Sequence, residues 1–467
     1  MADAETEEVG SDTRRSRATV GNRDWTKGSI TRNLVALSWP IIVSDGLRMI
    51  GPTVDLIWVG KLGADSIAGV GISAMAVHAV MSGRTGIGAG IRAMIARFMG
   101  AGDTKSANLV VQQAFVISAA YAIVMAIIGI LFAEPILSIF GVEAEVVAEG
   151  AAYMRVAFIG SATMSFLAMV ESIMQASGDS VTPMRISIFY RLFHVGLVPF
   201  LIFGWWVFPR MGVSGAALTS VIANGLAMVI GLWILFTGRS RLRLTLENFS
   251  LDLNIIWRII KIGIPAAIQM AERSFGQMLI VWFMSPFGTN AVAAHTMIQR
   301  IIMFITNISM GFGRGAAVLV GQNLGAQQPE RAEKSAWLAV GFAECVMMTF
   351  CLVILLAPGG IIRIFNSEPG LVGMATVFLR IGIISYLAFS IDLVIMQCLA
   401  GAGDTLPAMV ITLMSSWVVL MPLAYFLPRV TDLGVYGVRW AMVIAIVAGA
   451  VAYVVYFRLG RWKYKKV

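Results

Sequence analysis

Cysteine is scarce in this chain. Its three copies, Cys345, Cys351 and Cys398, all lie inside apolar stretches, where they read as small core residues and supply neither a disulfide framework nor a metal site. Charge is scarce too. Asp, Glu, Lys and Arg make up 13% of the residues against 58% hydrophobic, more apolar material than one soluble core can bury. The charged start, ADAETEE and then RRSR, leads into no short apolar leader, so a cleaved signal peptide is not expected. Also missing are metal-ligand spacings, a nucleophile beside a base, and a strand before GIGAG that would make it a phosphate cradle. Neither an enzyme nor a cofactor is expected.

What the chain does have is apolar blocks of membrane-crossing length, about 20 residues each. Six fall near 34–58, 66–95, 108–132, 146–174, 184–206 and 213–237. After the polar GRSRLRLTLENFSLDLN, six more fall near 257–284, 291–320, 335–357, 372–399, 407–427 and 435–458. The expected fold is an all-α polytopic membrane protein of twelve transmembrane helices in two six-helix lobes, 33–237 and 257–459. A cytoplasmic linker is expected at 238–256, a disordered tail at 1–32 and a basic tail at 460–467. The formal charge of +9 gathers between the blocks, as in cytoplasmic loops facing anionic lipid, so no nucleic-acid partner is expected. Three basic clusters set the orientation: Arg14, Arg15, Arg17, Lys27 and Arg32; Arg239, Arg241 and Arg243; Arg461, Lys463, Lys465 and Lys466. All belong on the cytoplasmic side of a plasma membrane, with an even six helices between them, both termini inside and FAEPILSIFGVEAEV outside. The bilayer is the expected partner, and a monomer the expected state.

Sliding the sequence by 225 positions superposes its punctuation. Pro40 meets Pro265, Arg48 meets Arg273 and Gly63 meets Gly288. Gly86, Gly88 and Gly90 meet Gly311, Gly313 and Gly315; Gly100-Ala101 meets Gly325-Ala326, Arg155 meets Arg380 and Gly178-Asp179 meets Gly403-Asp404. So many Gly and charged matches at one offset mark an internal repeat. Two six-helix halves of the same orientation imply a pseudo-twofold along the membrane normal, the parallel repeat of many transporters, with the substrate site between the halves. Either proline alone is simply a packing kink; their pairing marks the first and seventh helices as the ones that bend.

The stretch Asn33 to Gly63 is apolar enough to span a bilayer yet carries Asp45, Arg48 and Asp55, and charges there are costly enough to need a reason. Asp45 and Arg48, three apart, share a helix face and can neutralise one another, as a structural ion pair or as a coupling element. Asp55 is seven from Arg48, about 20° off the same line at about 10 Å of rise. Glu272, Arg273 and Asp392 are the matching charges of the second half, a candidate polar site in that lobe. His78, Arg84, His295, Arg300 and Glu344 are further candidates, with loop-proximal or interhelical pairing the plainer expectation. At the repeat offset Asp45 and Asp55 fall on Met270 and Ile280, which places ion coupling in the first half. The 28 Met and 25 Phe suit a pliant cavity for many shapes, although membrane helices hold such residues anyway.

Four stretches carry a family resemblance: VDLIWVGKLGADSIAGVG (54–71), GIGAGIRAMIARFMGAGDTKSAN (86–108), GFGRGAAVLVGQNLGAQQPERAEK (311–334) and AGAGDTLPAM (400–409). In these the sequence resembles the multidrug and toxic compound extrusion (MATE) family over nearly the whole chain. The resemblance implies two lobes across a central cavity, exporting organic and often cationic compounds in exchange for inward proton or sodium flow. It further implies alternation between outward-open and inward-facing states, with the first helix bending at Pro40. By resemblance Asp55, in the VDxxxVG motif, binds the driving cation; a buried carboxyl that titrates near working pH can load and unload a proton. The sodium-type pattern of an Asn and an Asp four residues apart before a Pro is replaced, in FHVGLVPFLIFG, by His194 and Val198. That removes hard oxygen ligands and favours a proton carried by Asp55 and His194, while a sodium ion at Asp55 stays open. Another branch of the family is similar in using acids of the seventh and tenth helices.

The expected function is therefore a secondary antiporter exporting hydrophobic or cationic small organic compounds. The alternatives are a flippase for a lipid-linked precursor, which needs a strongly basic cavity, and a membrane-embedded enzyme, which needs His or acids clustered at one interface. A major-facilitator transporter would carry a GxxxDRxGRR-like loop where this chain has ARFMGAGDTK.

Overall fold

The computed structural model describes residues 23–63, 69–71, 73–74, 77, 80–138, 144–245, 249–465 and 467. Helices account for the membrane-length blocks, and no strand occurs among the described residues. That follows from the solvent: with no water in a bilayer core, each backbone N–H must find its carbonyl within its own segment. In order they are α1 (Ile30–Val59), α2 (Gly83–Gly100), α3 (Thr104–Ser138) and α4, with arms Ala144–Ile159 and Ser161–Ser177. Then come α5 (Val181–Phe203), α6 (Gly212–Thr237), α7 (Leu253–Met284), α8 (Thr289–Gly325) and α9 (Pro329–Leu356). The series ends with α10 (Pro369–Ala402), α11 (Thr405–Val430) and α12 (Val435–Arg458). Among the described residues, ten helices are long and apolar enough to cross a membrane, eleven with the arms of α4, bent by 46° around Gly160, taken as one span. The remaining block, 66–95, is represented by α2. The start of that block, His78 and residues 139–143 of FAEPILSIFGVEAEV lie outside the described residues, as do residues 1–22.

Local chemistry sets the ends. Ser29 caps α1 by accepting from the Arg32 N–H, and Asp252 caps α7 by accepting from Asn254 and Ile255 at 2.8 and 3.2 Å. Gly178 and Gly403, one repeat apart, end α4 and α10 at φ of +94° and +81°, a conformation that costs any other residue steric strain. Two expected boundaries need correction. Residues 23–32 are not a disordered tail: Trp25 is 2% exposed and α1 begins at Ile30, because Asn33 Nδ2 donates to the Trp25 and Lys27 carbonyls. α7 begins at Leu253, inside the stretch expected as linker, since Asp252 supplies its cap.

Apolar side chains face both inward and outward. Ile123, Ile127, Ile130 and Leu131 of α3 are about half exposed or more, as befits a surface solvated by lipid. Inside, the first turns of α1 and α7 trade places. Leu34 and Leu37 pack into a core built from α8, α9, α10 and α12, while Ile259 and Ile262 of α7, one repeat later, pack into the core of α2 to α6.

This exchange creates a seam between the halves at the end of the bundle where the described ends of the chain meet. A Cβ at Gly86 or Gly90 of α2 would strike the carbonyls of Gly263 and Ile259 of α7; at Gly311 or Gly315 of α8 it would strike Ile42 and Ser38 of α1. Gly100 rests on the Gln322 carbonyl and Gly325 on that of Arg97. Six of the repeated glycines are thus points where the two halves touch, whereas Gly88 and Gly313 face α4 and α10 of their own halves. Arg97 Nη2 donates to the Lys465 carbonyl at 2.8 Å and Arg331 Nη2 to that of Gly28 at 2.7 Å, so the first and last described segments are tied across the seam.

Candidate functional site

α1 carries three charges, and the helices around it give each a different partner. Asp45 reaches across the seam: Arg314 Nη1 of α8 donates to its Oδ1 at 3.0 Å, and Nη2 lies 2.9 Å from Oδ2. Arg48 turns back into its own half and pairs with Glu171 on the second arm of α4. The expected neutralisation of Asp45 by Arg48 is therefore corrected. The two share a stripe of helix, but a forked guanidinium that meets both carboxylate oxygens outcompetes a neighbour one turn away. Asp55, about two turns beyond Arg48, is 5% exposed, and its Oδ1 lies 3.3 Å from Nε2 of His194 on α5, itself 1% exposed.

Around Asp55 and His194 the setting is small and polar. His194 Nε2 is 3.0 Å from Ser220 Oγ of α6, and Tyr153 of α4 lies within electrostatic reach of the carboxylate. His194 Nδ1 and Asp55 Oδ1 are buried with no hydrogen-bond partner of their own among the described residues. One carboxylate, one imidazole and one hydroxyl make a poor set for sodium, which prefers several oxygen ligands.

In the second half, Arg273 of α7 sits 3.5 Å from Asp392 of α10 and donates to Met396 Sδ at 3.3 Å. Met396 is the repeat equivalent of Glu171, so both repeated arginines reach from the first helix of their half to its fourth. Glu272 is 8% exposed and forms no ion pair among the described residues. Pro40 and Pro265 lie inside helices that run unbroken around them. Of the other candidates, His295 is buried 3.3 Å from Arg439 of α12, which also donates to the Phe378 carbonyl at 3.2 Å, a tie within the second half. Arg300 is exposed, Glu344 is half-buried, and Arg84 is half-buried inside the first half.

Arg314, Glu171, Arg92 and Ser220 were not singled out from the sequence. Arg314 carried a readable signal, a lone charge in the glycine stretch GFGRG. The others are polar residues in apolar blocks whose partners become visible only once the helices are packed.

The MatE family model matches this chain at residues 40–200 and 265–426, stretches that begin at the two repeated prolines. "Probable multidrug resistance protein YpnP" of Bacillus subtilis (strain 168) is 26% identical over 449 residues, covering 95% of this chain and 98% of that protein. "Probable multidrug resistance protein NorM" of Thermotoga maritima is 25% identical over 453 residues, with 94% of each covered. Among solved structures, a MOP superfamily transporter from Pyrococcus furiosus, described as having a binding pocket of reverse polarity, superposes with a TM-score of 0.87 at 22% identity. The match covers 95% of this chain and 98% of that one. A MATE structure in the bent conformation superposes with a TM-score of 0.87 at 23% identity, over 94% of this chain and 96% of that one.

Proposed function

The chain belongs to the MatE family, and on that premise we propose that it is a proton-driven antiporter exporting small organic compounds by alternating access. The observation that carries this reading is the buried Asp55–His194 pair, held at 3.3 Å inside the first half. A proton entering from the side of higher proton concentration neutralises the carboxylate, removes its attraction to the imidazole and lets α1 shift against α5. Releasing the proton on the other side restores the pair. The sodium alternative is disfavoured by the donors that surround Asp55.

The basic clusters set the sidedness. With Arg239, Arg241 and Arg243 and the basic end of the chain in the cytoplasm, the glycine seam lies on the inner side. Pro40 and Pro265, which leave a backbone carbonyl without its helical partner, are then the points at which α1 and α7 flex while the seam opens inward. The relatives named as multidrug resistance proteins support an organic cargo of loosely defined shape.

The test is transport in proteoliposomes with pH and sodium gradients imposed separately. Efflux should follow the proton gradient alone, and Asp55→Asn should abolish it while leaving the protein folded and monodisperse. Undiminished transport in that variant, or transport driven by sodium at uniform pH, would sink the assignment.

A further inference from the structure

Each half ends by turning off its last helix on a left-handed glycine, Gly238 after α6 at φ +70° and Gly460 after α12 at φ +71°. The segments that follow take different paths. Behind Gly238, Leu242 and Leu244 fold back into the core of their own half, and Gln112 and Gln113 of α3 donate to the Thr245 and Ser250 carbonyls, each at 2.8 Å. Behind Gly460, the chain begins in its own half and finishes on the other. Trp462 is fully buried in the second-half core, stacked on Phe457 at 4.5 Å, with its Nε1 donating to the Phe457 carbonyl at 2.8 Å. Lys463 pairs with Glu333 of α9 at 2.5 Å, and Lys465 with the buried Asp404 at 3.2 Å. The Lys465 carbonyl then accepts from Arg97 of α2 at 2.8 Å, and Val467 packs against the core formed by α2 to α6 and the start of α7. The same Arg97 nitrogen lies 3.3 Å from the Ala402 carbonyl, so one guanidinium of the first half holds two carbonyls of the second.

We infer that residues 463–467 form a strap that holds the two halves closed at the inner end of the seam, with Trp462 as its fixed anchor and Arg97 as its clasp. Lys465 is half-exposed, and an ion pair so placed contributes little by itself. Its use is to lay the segment along its own half, so that the next carbonyl and Val467 arrive at the other one. The charge-assisted bond from Arg97 and the burial of Val467 then stabilise the closed seam and are lost when the halves part. Residues 23–28 make a similar bridge from the other end. Trp25 is buried in the second-half core and Arg331 holds the Gly28 carbonyl, while Arg241, behind α6, donates to the Arg23 carbonyl at 2.5 Å. A Cβ at Gly178 would strike Trp25 and one at Gly403 would strike Val467, so the two bridges rest on repeat-equivalent glycines. A strap matters only if the halves part, and it therefore rests on the alternating-access reading. It deepens that reading by placing part of the hold on the closed state outside the membrane helices and away from Asp55.

The experiment measures the distance between spin labels at Lys105→Cys and Glu330→Cys in lipid nanodiscs, with Cys345, Cys351 and Cys398 replaced by serine or alanine. Both label sites are exposed, and they stand one repeat apart in the first turns of α3 and α9. The full chain should show a short distance, the closed inner end, and a minor longer one. A chain ended after Trp462 keeps the anchor and loses the strap. It should hold about tenfold more of the longer distance, as expected for the loss of one hydrogen bond from a charged donor together with the Val467 contact. Lys463→Gln/Lys465→Gln at full length should show a smaller rise, because Arg97 still reaches the backbone. Populations equal in the full and ended chains, with the ended chain monodisperse and melting cooperatively, overturn the strap and leave the alternation standing. A longer-distance population that is unchanged or lower in Lys463→Gln/Lys465→Gln overturns it as well, whether or not the ended chain folds. A single unchanging distance in every chain, at acidic and at alkaline pH, sinks the alternation and the strap with it.

Discussion

Asp45 and Arg314 join α1 to α8 through two short contacts in a setting where neither side chain is more than one-sixth exposed. Removing one partner strands the other, at a cost of about 3–5 kcal/mol for a buried pair, while removing both costs far less. Arg314→Ala and Asp45→Asn should therefore each lower the melting temperature, and the double variant should sit well above the sum of the two losses. Additive losses would mean that the pair is not coupled. This ion pair also marks where residue-level reading of the sequence stopped. A spacing of three placed Asp45 and Arg48 on one face, which holds, but spacing cannot say which helix will present a better partner. Glu171 and Arg314 lie 123 and 269 positions from Arg48 and Asp45, their partners on α1, beyond reach of any local rule, so the pairing had to come from packing.

At the scale of helices much more was legible, because the repeat is an element-level property. The apolar blocks predicted the spans, and the glycines at 86, 90, 100, 311, 315 and 325 were visible as paired punctuation before their purpose was. Their purpose is contact: each places the backbone of one half against the other. An alanine is worth up to about 1 kcal/mol more than glycine in a helix interior, so Gly90→Ala or Gly315→Ala should stabilise α2 or α8 if propensity governed. The backbone and side chain lying where the Cβ would go argue the opposite sign. Both variants should melt lower than the wild type in lipid nanodiscs and transport more slowly; a higher melting temperature at either site would show that the seam yields. The ends of the described chain were the least legible elements. The order of residues 23–29 depends on a buried Trp25 and on Arg331 and Arg241, which donate to Gly28 and Arg23 carbonyls from far along the chain.

For the whole molecule, alternating access requires the seam to part in every cycle, and the seam offers a place to prevent it. A Cβ at Gly315 would lie 3.2 Å from Ser38 Cβ, within a few tenths of an ångström of the roughly 3.5–4.5 Å that a disulfide spans. The two positions belong to α8 and α1, on opposite halves. A Ser38→Cys/Gly315→Cys variant, made with Cys345, Cys351 and Cys398 replaced by serine or alanine, should cross-link on mild oxidation. Cross-linking would hold α1 against α8 with the two halves closed at this end. Transport should then fall to background and return on reduction, while the melting temperature of the oxidised form rises. Each single-cysteine control should transport equally with and without oxidant. Full transport by the cross-linked protein would mean that α1 and α8 never separate here, and the path between the two sides would have to open elsewhere in the bundle.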